Sequence, residues 1–362
     1  MTIYLILAAV TVFLGLLVER KENIVNEANV RAFTRGRAKN TSLLFAIFVF
    51  LLAVSACRVA IGNDYWEYKE IFNLISQNRH VSTEFGFNTF VRICHFFFGK
   101  ENYIIIFGLI AAATIYLSLK SVYDLGEKFG YSFFLYMVFG LYLSGFNSVR
   151  YYLVLALAMV SVKYLFTKEY EKFVLLILLA STFHMAVLFC LAVYPLAKLK
   201  WKIWVYPVLT VFSVSLILFP AFYRRIIFLF YPYYENSVYD VQSTSTVQIL
   251  RCAAVLVFAL IFYKQAIKDN DKNAFYLKLN LFALIVYSCC SYLPVISRIG
   301  YFLNVYHIFL IPGVLLRIEK KWLRILLTVL IAVAGVGYFL FFLHTCKEDG
   351  VRIVPYWNWI MY

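Results

Sequence analysis

The sequence predicts an all-α polytopic membrane protein, and three observations carry that prediction. Apolar residues make up 63% of the 362-residue chain and charged residues 15%, with a mean hydropathy of +0.79. A soluble domain is about half apolar and about a quarter charged. The apolar residues also fall into long blocks, such as Leu43 to Cys57, Tyr103 to Leu119 and Ile325 to Leu343. Finally, the blocks are continuous rather than alternating. That selects helices over a barrel, the other way to satisfy a backbone in a bilayer core. A crossing takes roughly 20 apolar residues, so the chain is read as one transmembrane domain, 1–362, with about eleven spans and one broken or re-entrant helix.

The elements follow in order once charge is used to orient them. Lys and Arg collect in cytoplasmic loops, so the net charge of +15 reads as topology, with no nucleic acid as partner. The first block, Ile3 to Val18, has no basic residue before it and no small-residue cleavage site after it, and is expected to be a span rather than a removed signal peptide. Arg20, Lys21, Arg31, Arg35, Arg37 and Lys39 place the next segment inside and the N-terminus outside. Helix 43–57 then exits to an external segment, 58–102, that mixes Asp64, Glu67, Glu70, Glu84 and Glu101 with Tyr65, Trp66 and Tyr68. Helix 103–119 returns, 131–145 exits to a tight turn at Gly145, Phe146 and Asn147, and 150–166 comes back to Lys163, Lys168 and Lys172.

A parity constraint then arises. Lys198, Lys200 and Lys202, the cluster from Lys264 to Lys278 and that from Arg317 to Arg324 should all be inside, which demands an even number of crossings between Lys172 and Lys198. As one helix that stretch is only about 39 Å long, too short for two crossings. The consistent solution is a helix broken near Ser181-Thr182-Phe183-His184, since non-helical backbone at membrane depth is tolerated where it lines a polar cavity. The alternative puts the break at Pro220, with 222–234 as an extra partial span. With the break at His184, 203–219 exits to a second external segment, 220–246. Helices 247–263, 275–293, 301–316 and 325–343 follow, leaving an external tail, 344–362, that carries Pro355, Tyr356, Trp357 and Trp359.

Ionisable side chains at membrane depth are expensive and default to functional hypotheses. This topology puts Arg58, Arg150, Arg251 and Arg298 on the outer face, against the positive-inside trend. Each alone could be a snorkelling side chain or half of an ion pair. Together they suit a diphosphate at headgroup level, because Arg binds phosphate bidentately. Asp64, Glu84 and His184 are candidate acid–base groups on the same face. No Walker loop, glycine-rich nucleotide fingerprint or metal-ligand cluster is present, and the seven cysteines show no paired spacing, so neither metal nor cofactor is expected.

Four segments in order carry a resemblance: Arg58-Val-Ala-Ile-Gly62-Asn-Asp64-Tyr-Trp-Glu-Tyr68, Glu84-Phe-Gly86-Phe87, Asn147-Ser-Val-Arg150, and Phe183-His184-Met-Ala186. Ser297-Arg298, Tyr301-Phe302 and the Pro355-Tyr356 tail also fit. With these the chain resembles the EpsG-like, Wzy-type polymerases of bacterial exopolysaccharide, capsule and O-antigen synthesis. The resemblance implies a GT-C-type glycosyltransferase in the cytoplasmic (inner) membrane, its active site facing the periplasm or cell exterior. It would join oligosaccharide repeat units carried on undecaprenyl diphosphate, with a chain-length regulator and a flippase as further partners. Asp64, Glu84 and His184 would then be catalytic, and Arg58, Tyr68, Arg150, Arg251 and Arg298 would bind substrate. The rival readings are a transporter or flippase of the lipid-linked glycan and an O-antigen ligase.

Overall fold

The computed structural model of the protein describes residues 1–19, 30–100, 102–230, 235, 244–293, 296–347 and 351–359. Parts of the expected inner segment 20–39, residues 231–234 and 236–243 of the expected external segment 220–246, Glu101, residues 294–295, and residues 348–350 and 360–362 of the tail lie outside the described residues. Among those described there is no β-strand, only one isolated bridge between Arg58 and Asn358. Among the described residues, five helices are long and apolar enough to cross a bilayer: Gly36–Ala56, Tyr103–Leu125, Val149–Phe166, Arg298–Leu315 and Lys321–Thr345. Shorter apolar helices, Thr2–Leu16, Phe129–Val138, Met185–Lys198 and Thr246–Ile261, accompany them.

Contacts divide the chain into two compact units, one of Met1–Met185 with Lys320–Tyr362 and one of Ala186–Glu319. In the first, Val149–Phe166 is the central helix, with 78% of its span window buried, packed between Tyr103–Leu125 and Tyr170–Ser181. A helix that is apolar on every side belongs in such a place. Lys321–Thr345 is more apolar still but only 11% buried, so its surface is left for lipid. The expected helix 131–145 is interrupted after Val138, because Gly140 takes a φ of +71°, a left-handed turn that ends the helical path. A short turn of helix, Leu141–Ser144, completes the distance. The segment 58–102 holds two helices, Tyr65–Ser76 and Phe85–Phe98, each too short to cross.

In the second unit Arg298–Leu315 is the central run, with 83% of its window buried. It packs with Asp271–Cys289 and Thr246–Ile261. The expected break near His184 is present, and the helix at its alternative, Pro220, is bent as well. Tyr170–Ser181 ends one residue before Thr182, and a turn of 3-10 helix, Met185–Leu188, follows His184. Val205–Leu218 and Pro220–Leu229 meet at 89°, where Pro220 deprives the helix of a donor.

Candidate functional site

One end of the first unit gathers the loop after helix Val30–Ala56, the starts of Tyr65–Ser76 and Phe85–Phe98, the turn before Val149–Phe166, the break after Ser181 and the C-terminal tail. All four sequence segments that carried the resemblance meet there. Asp64 is the residue before the first turn of Tyr65–Ser76, where a carboxylate is favoured by the helix dipole. Its backbone N–H donates to Asn147 Oδ1 at 3.2 Å, and Ser148 Oγ donates to its Oδ2 at 3.1 Å. The loop reaches the Asn147 turn only because residue 62 is glycine. Gly62 has a φ of +89°, and a Cβ there would lie 2.9 Å from both Asn147 Cα and the Phe146 carbonyl oxygen.

Glu84 stands before the first turn of Phe85–Phe98 and is the hub of a charged cluster. Its Oε2 accepts from Arg150 Nη1 in an ion pair whose two side chains are each 19% exposed. Its Oε1 accepts from the Met185 backbone N–H at 3.2 Å and lies 4.0 Å from His184 Nδ1. The break after Ser181 is stitched to the same helix start, since the Gly86 N–H donates to the Thr182 carbonyl at 2.8 Å. His184 is buried, and its ring meets Tyr151 edge to face at 5.7 Å. The broken helix therefore turns a backbone donor and an imidazole toward Glu84, which an uninterrupted helix would not do.

Arg150 lies over the rings of Phe87 and Tyr68, its Cζ 5.1 and 5.8 Å from their centroids, an arrangement worth about 0.5–2 kcal/mol according to desolvation. Tyr68 is buried and within electrostatic range of both Arg150 and Asp64. Burial holds its phenol above the ordinary value, with the Arg150 charge pulling the other way. Asp64, Tyr68, Glu84, Arg150 and His184 thus form one polar patch: two carboxylates, a fixed guanidinium, an imidazole and a phenol. A guanidinium has five donors, so Arg150 can hold an anion while paired to Glu84. The imidazole can move a proton.

The remaining sequence candidates are placed elsewhere. Arg58 is 2% exposed, its loop crossed by the tail, and burial brings its guanidinium down to about 10. It therefore stays cationic at neutral pH. The tail crosses its loop: Val59 N–H donates to the Trp357 carbonyl at 3.0 Å, Gly62 N–H to Arg352 at 2.9 Å and Trp359 N–H to Cys57 at 3.3 Å. Tyr4 and Tyr356 anchor this strap through hydroxyls donated to the Ile353 and Val54 carbonyls, at 2.8 and 3.0 Å. The sequence predicts the tail only as an external segment, with no contact to this loop.

Arg251 and Arg298 belong to the second unit. Arg298 is on the first turn of Ile296–Asn304, half-buried. Arg251 donates to Gln248 Oε1 at 2.6 Å, and the same oxygen accepts from Asn304 Nδ2 at 3.1 Å. Asn304 Nδ2 also reaches the Tyr287 hydroxyl at 3.1 Å, and His307 Nε2 meets Asn280 Oδ1 at 2.6 Å. This buried network of Gln248, Asn280, Tyr287, Asn304 and His307 was missed in the sequence. Neutral polar residues inside apolar blocks carry no charge signal, although the i, i+3 pairs Gln248/Arg251 and Asn304/His307 put polar groups on one helix face.

Fold and site together define a multi-pass, all-helical membrane protein with a charged acid–base patch at one end of a helical unit. Within that class the chain belongs to the EpsG family, whose family model matches residues 41–358. Membership gives it a general role in polysaccharide polymerisation. No curated protein and no solved structure matches the chain.

Proposed function

We propose that this protein is a GT-C-type glycosyltransferase, built on about eleven spans, that polymerises undecaprenyl-diphosphate-linked oligosaccharide repeat units at the outer face of the bacterial cytoplasmic membrane. The observation that carries this reading is the Arg150–Glu84–His184 cluster, an anion-holding group and a proton acceptor fixed around one carboxylate. The acceptor hydroxyl oxygen forms a bond to the anomeric carbon of the donor glycan. The bond from that carbon to the diphosphate breaks, and the lipid diphosphate leaves with the electron pair. Arg150 neutralises the charge that grows on the diphosphate. Stabilising such charge is usually the largest catalytic contribution, about 10²-fold or more for one donor. His184, turned toward Glu84, takes the hydroxyl proton, with Asp64 as the second carboxylate at the acceptor side. The aromatic surfaces of Tyr68 and Phe87 hold Arg150 in place. The activated lipid diphosphate supplies the driving force, so no nucleotide is required.

The decisive experiment is a deletion strain whose lipid-linked glycans are extracted and sized. Accumulation of single repeat units on the lipid, reversed by the wild-type gene but not by Arg150→Ala, supports a polymerase. Accumulation of long lipid-linked polymer would instead make the protein a ligase, and unchanged lipid-linked pools would sink both readings.

A further inference from the structure

The Arg58 side chain holds a charge that the polymerase chemistry above does not use. It follows helix Val30–Ala56, is 2% exposed, and among the described residues has no carboxylate within 4 Å. Its Nη1 donates to the Ser55 carbonyl and, at 3.0 Å, to Ser55 Oγ. The Phe146 and Phe107 rings face its Cζ at 4.8 and 5.3 Å. Its Nε is buried and has no hydrogen-bond partner. Beside it lies a cavity of about 20 Å³, walled by Arg58, Ser55, Thr114, Tyr136 and Tyr142 among apolar neighbours.

A buried charge is costly unless paired, and a buried N–H is costly unless it donates. The two aromatic faces offset part of the first cost and do nothing for the second. The space beside Arg58 and Ser55 holds a guest of about one water. A neutral water would accept from Nε and leave the charge unanswered, whereas a monatomic anion would answer both. We propose that the Arg58 cavity is a binding site for a single small inorganic anion of the chloride class, held by Arg58 Nε and the Ser55 hydroxyl. The site does not depend on the polymerase assignment.

The test uses the full-length protein in detergent. Thermal unfolding is followed while sodium chloride replaces sodium gluconate at constant ionic strength, so that general screening is held fixed. Binding to the folded state alone predicts a saturable rise in melting temperature, reproduced by bromide and absent with sulfate. The dependence should vanish in Arg58→Gln and shift to higher chloride in Ser55→Ala. Should Arg58→Gln not fold, crystals of the wild-type protein in bromide decide the matter. An anomalous peak within hydrogen-bonding distance of Arg58 Nε sustains the proposal, and density for water there without anomalous signal overturns it. Equal melting in chloride and gluconate overturns it too. Stabilisation by a soluble diphosphate such as farnesyl diphosphate, lost in Arg58→Gln, would transfer Arg58 to the lipid-linked substrate and equally refute a halide site.

Discussion

Replacing Glu84 by Gln tests the site at its hub. The amide keeps the shape of the carboxylate and can still accept from the Met185 N–H, the contact made at 3.2 Å. What it removes is the charge that Arg150 and His184 share. Two unit charges about 4 Å apart interact by about 4 kcal/mol at an effective dielectric constant of about 20. With both partners 19% exposed, hydration returns part of that on separation, leaving about 2–3 kcal/mol. Such a loss corresponds to about 30–160-fold in rate if it falls on the transition state. The assay is polymer formed per unit of enzyme in vesicles loaded with lipid-linked repeat units, for Glu84→Gln, Arg150→Gln and the double variant. Because the two side chains act as one pair, the double variant should be no slower than the slower single. Losses that multiply, toward about 10⁴-fold, would refute a shared role, and a fully active Glu84→Gln would remove Glu84 from the mechanism.

Other consequences can be measured in the same system. His184→Ala and His184→Gln should both lose about 10²-fold in rate if the imidazole moves a proton, whereas a packing role predicts that Gln retains most activity. Gly86→Ala places a Cβ 2.1 Å from Thr182 Oγ1 and 2.8 Å from the Thr182 carbonyl. Overpacking of this kind costs about 1–3 kcal/mol. Polymer yield should fall while the protein still reaches the membrane, as quantitative blotting of membrane fractions would show. Removing residues 351–362 frees the main-chain donors of Val59 and Gly62, each worth about 1 kcal/mol. The truncated protein should melt earlier and turn over more slowly, since the loop leading to Asp64 loses its strap. Asn304→Leu deletes a donor to Gln248 Oε1 and should destabilise the protein by about 1–3 kcal/mol in thermal unfolding.

By itself, the sequence determined the solvent this chain lives in. Blocks such as Ile325 to Leu343 are apolar enough that only a helix in a bilayer accommodates them, and that inference needs no tertiary contact. It also supplied the individual chemical groups, because a carboxylate, guanidinium or imidazole among apolar neighbours is conspicuous whatever its partner. The break near His184 could be read from charge parity, and the structure has it. What only the tertiary structure decided is which of these groups meet. Arg150 and Glu84 are 66 positions apart, and no local periodicity records that the start of one helix turns toward the start of another. The burial of Arg58 against Ser55, Phe107 and Phe146 was equally invisible, since a basic residue at a helix end reads the same whatever encloses it. The Asn304–Gln248 network and the Trp357 strap belong to the same class. They are made of neutral amides and backbone groups, which every segment possesses, and only the folded packing selects the few that pair. Pairing across distant segments is set by the close-packed interior as a whole, and a single chain of letters holds no local trace of it.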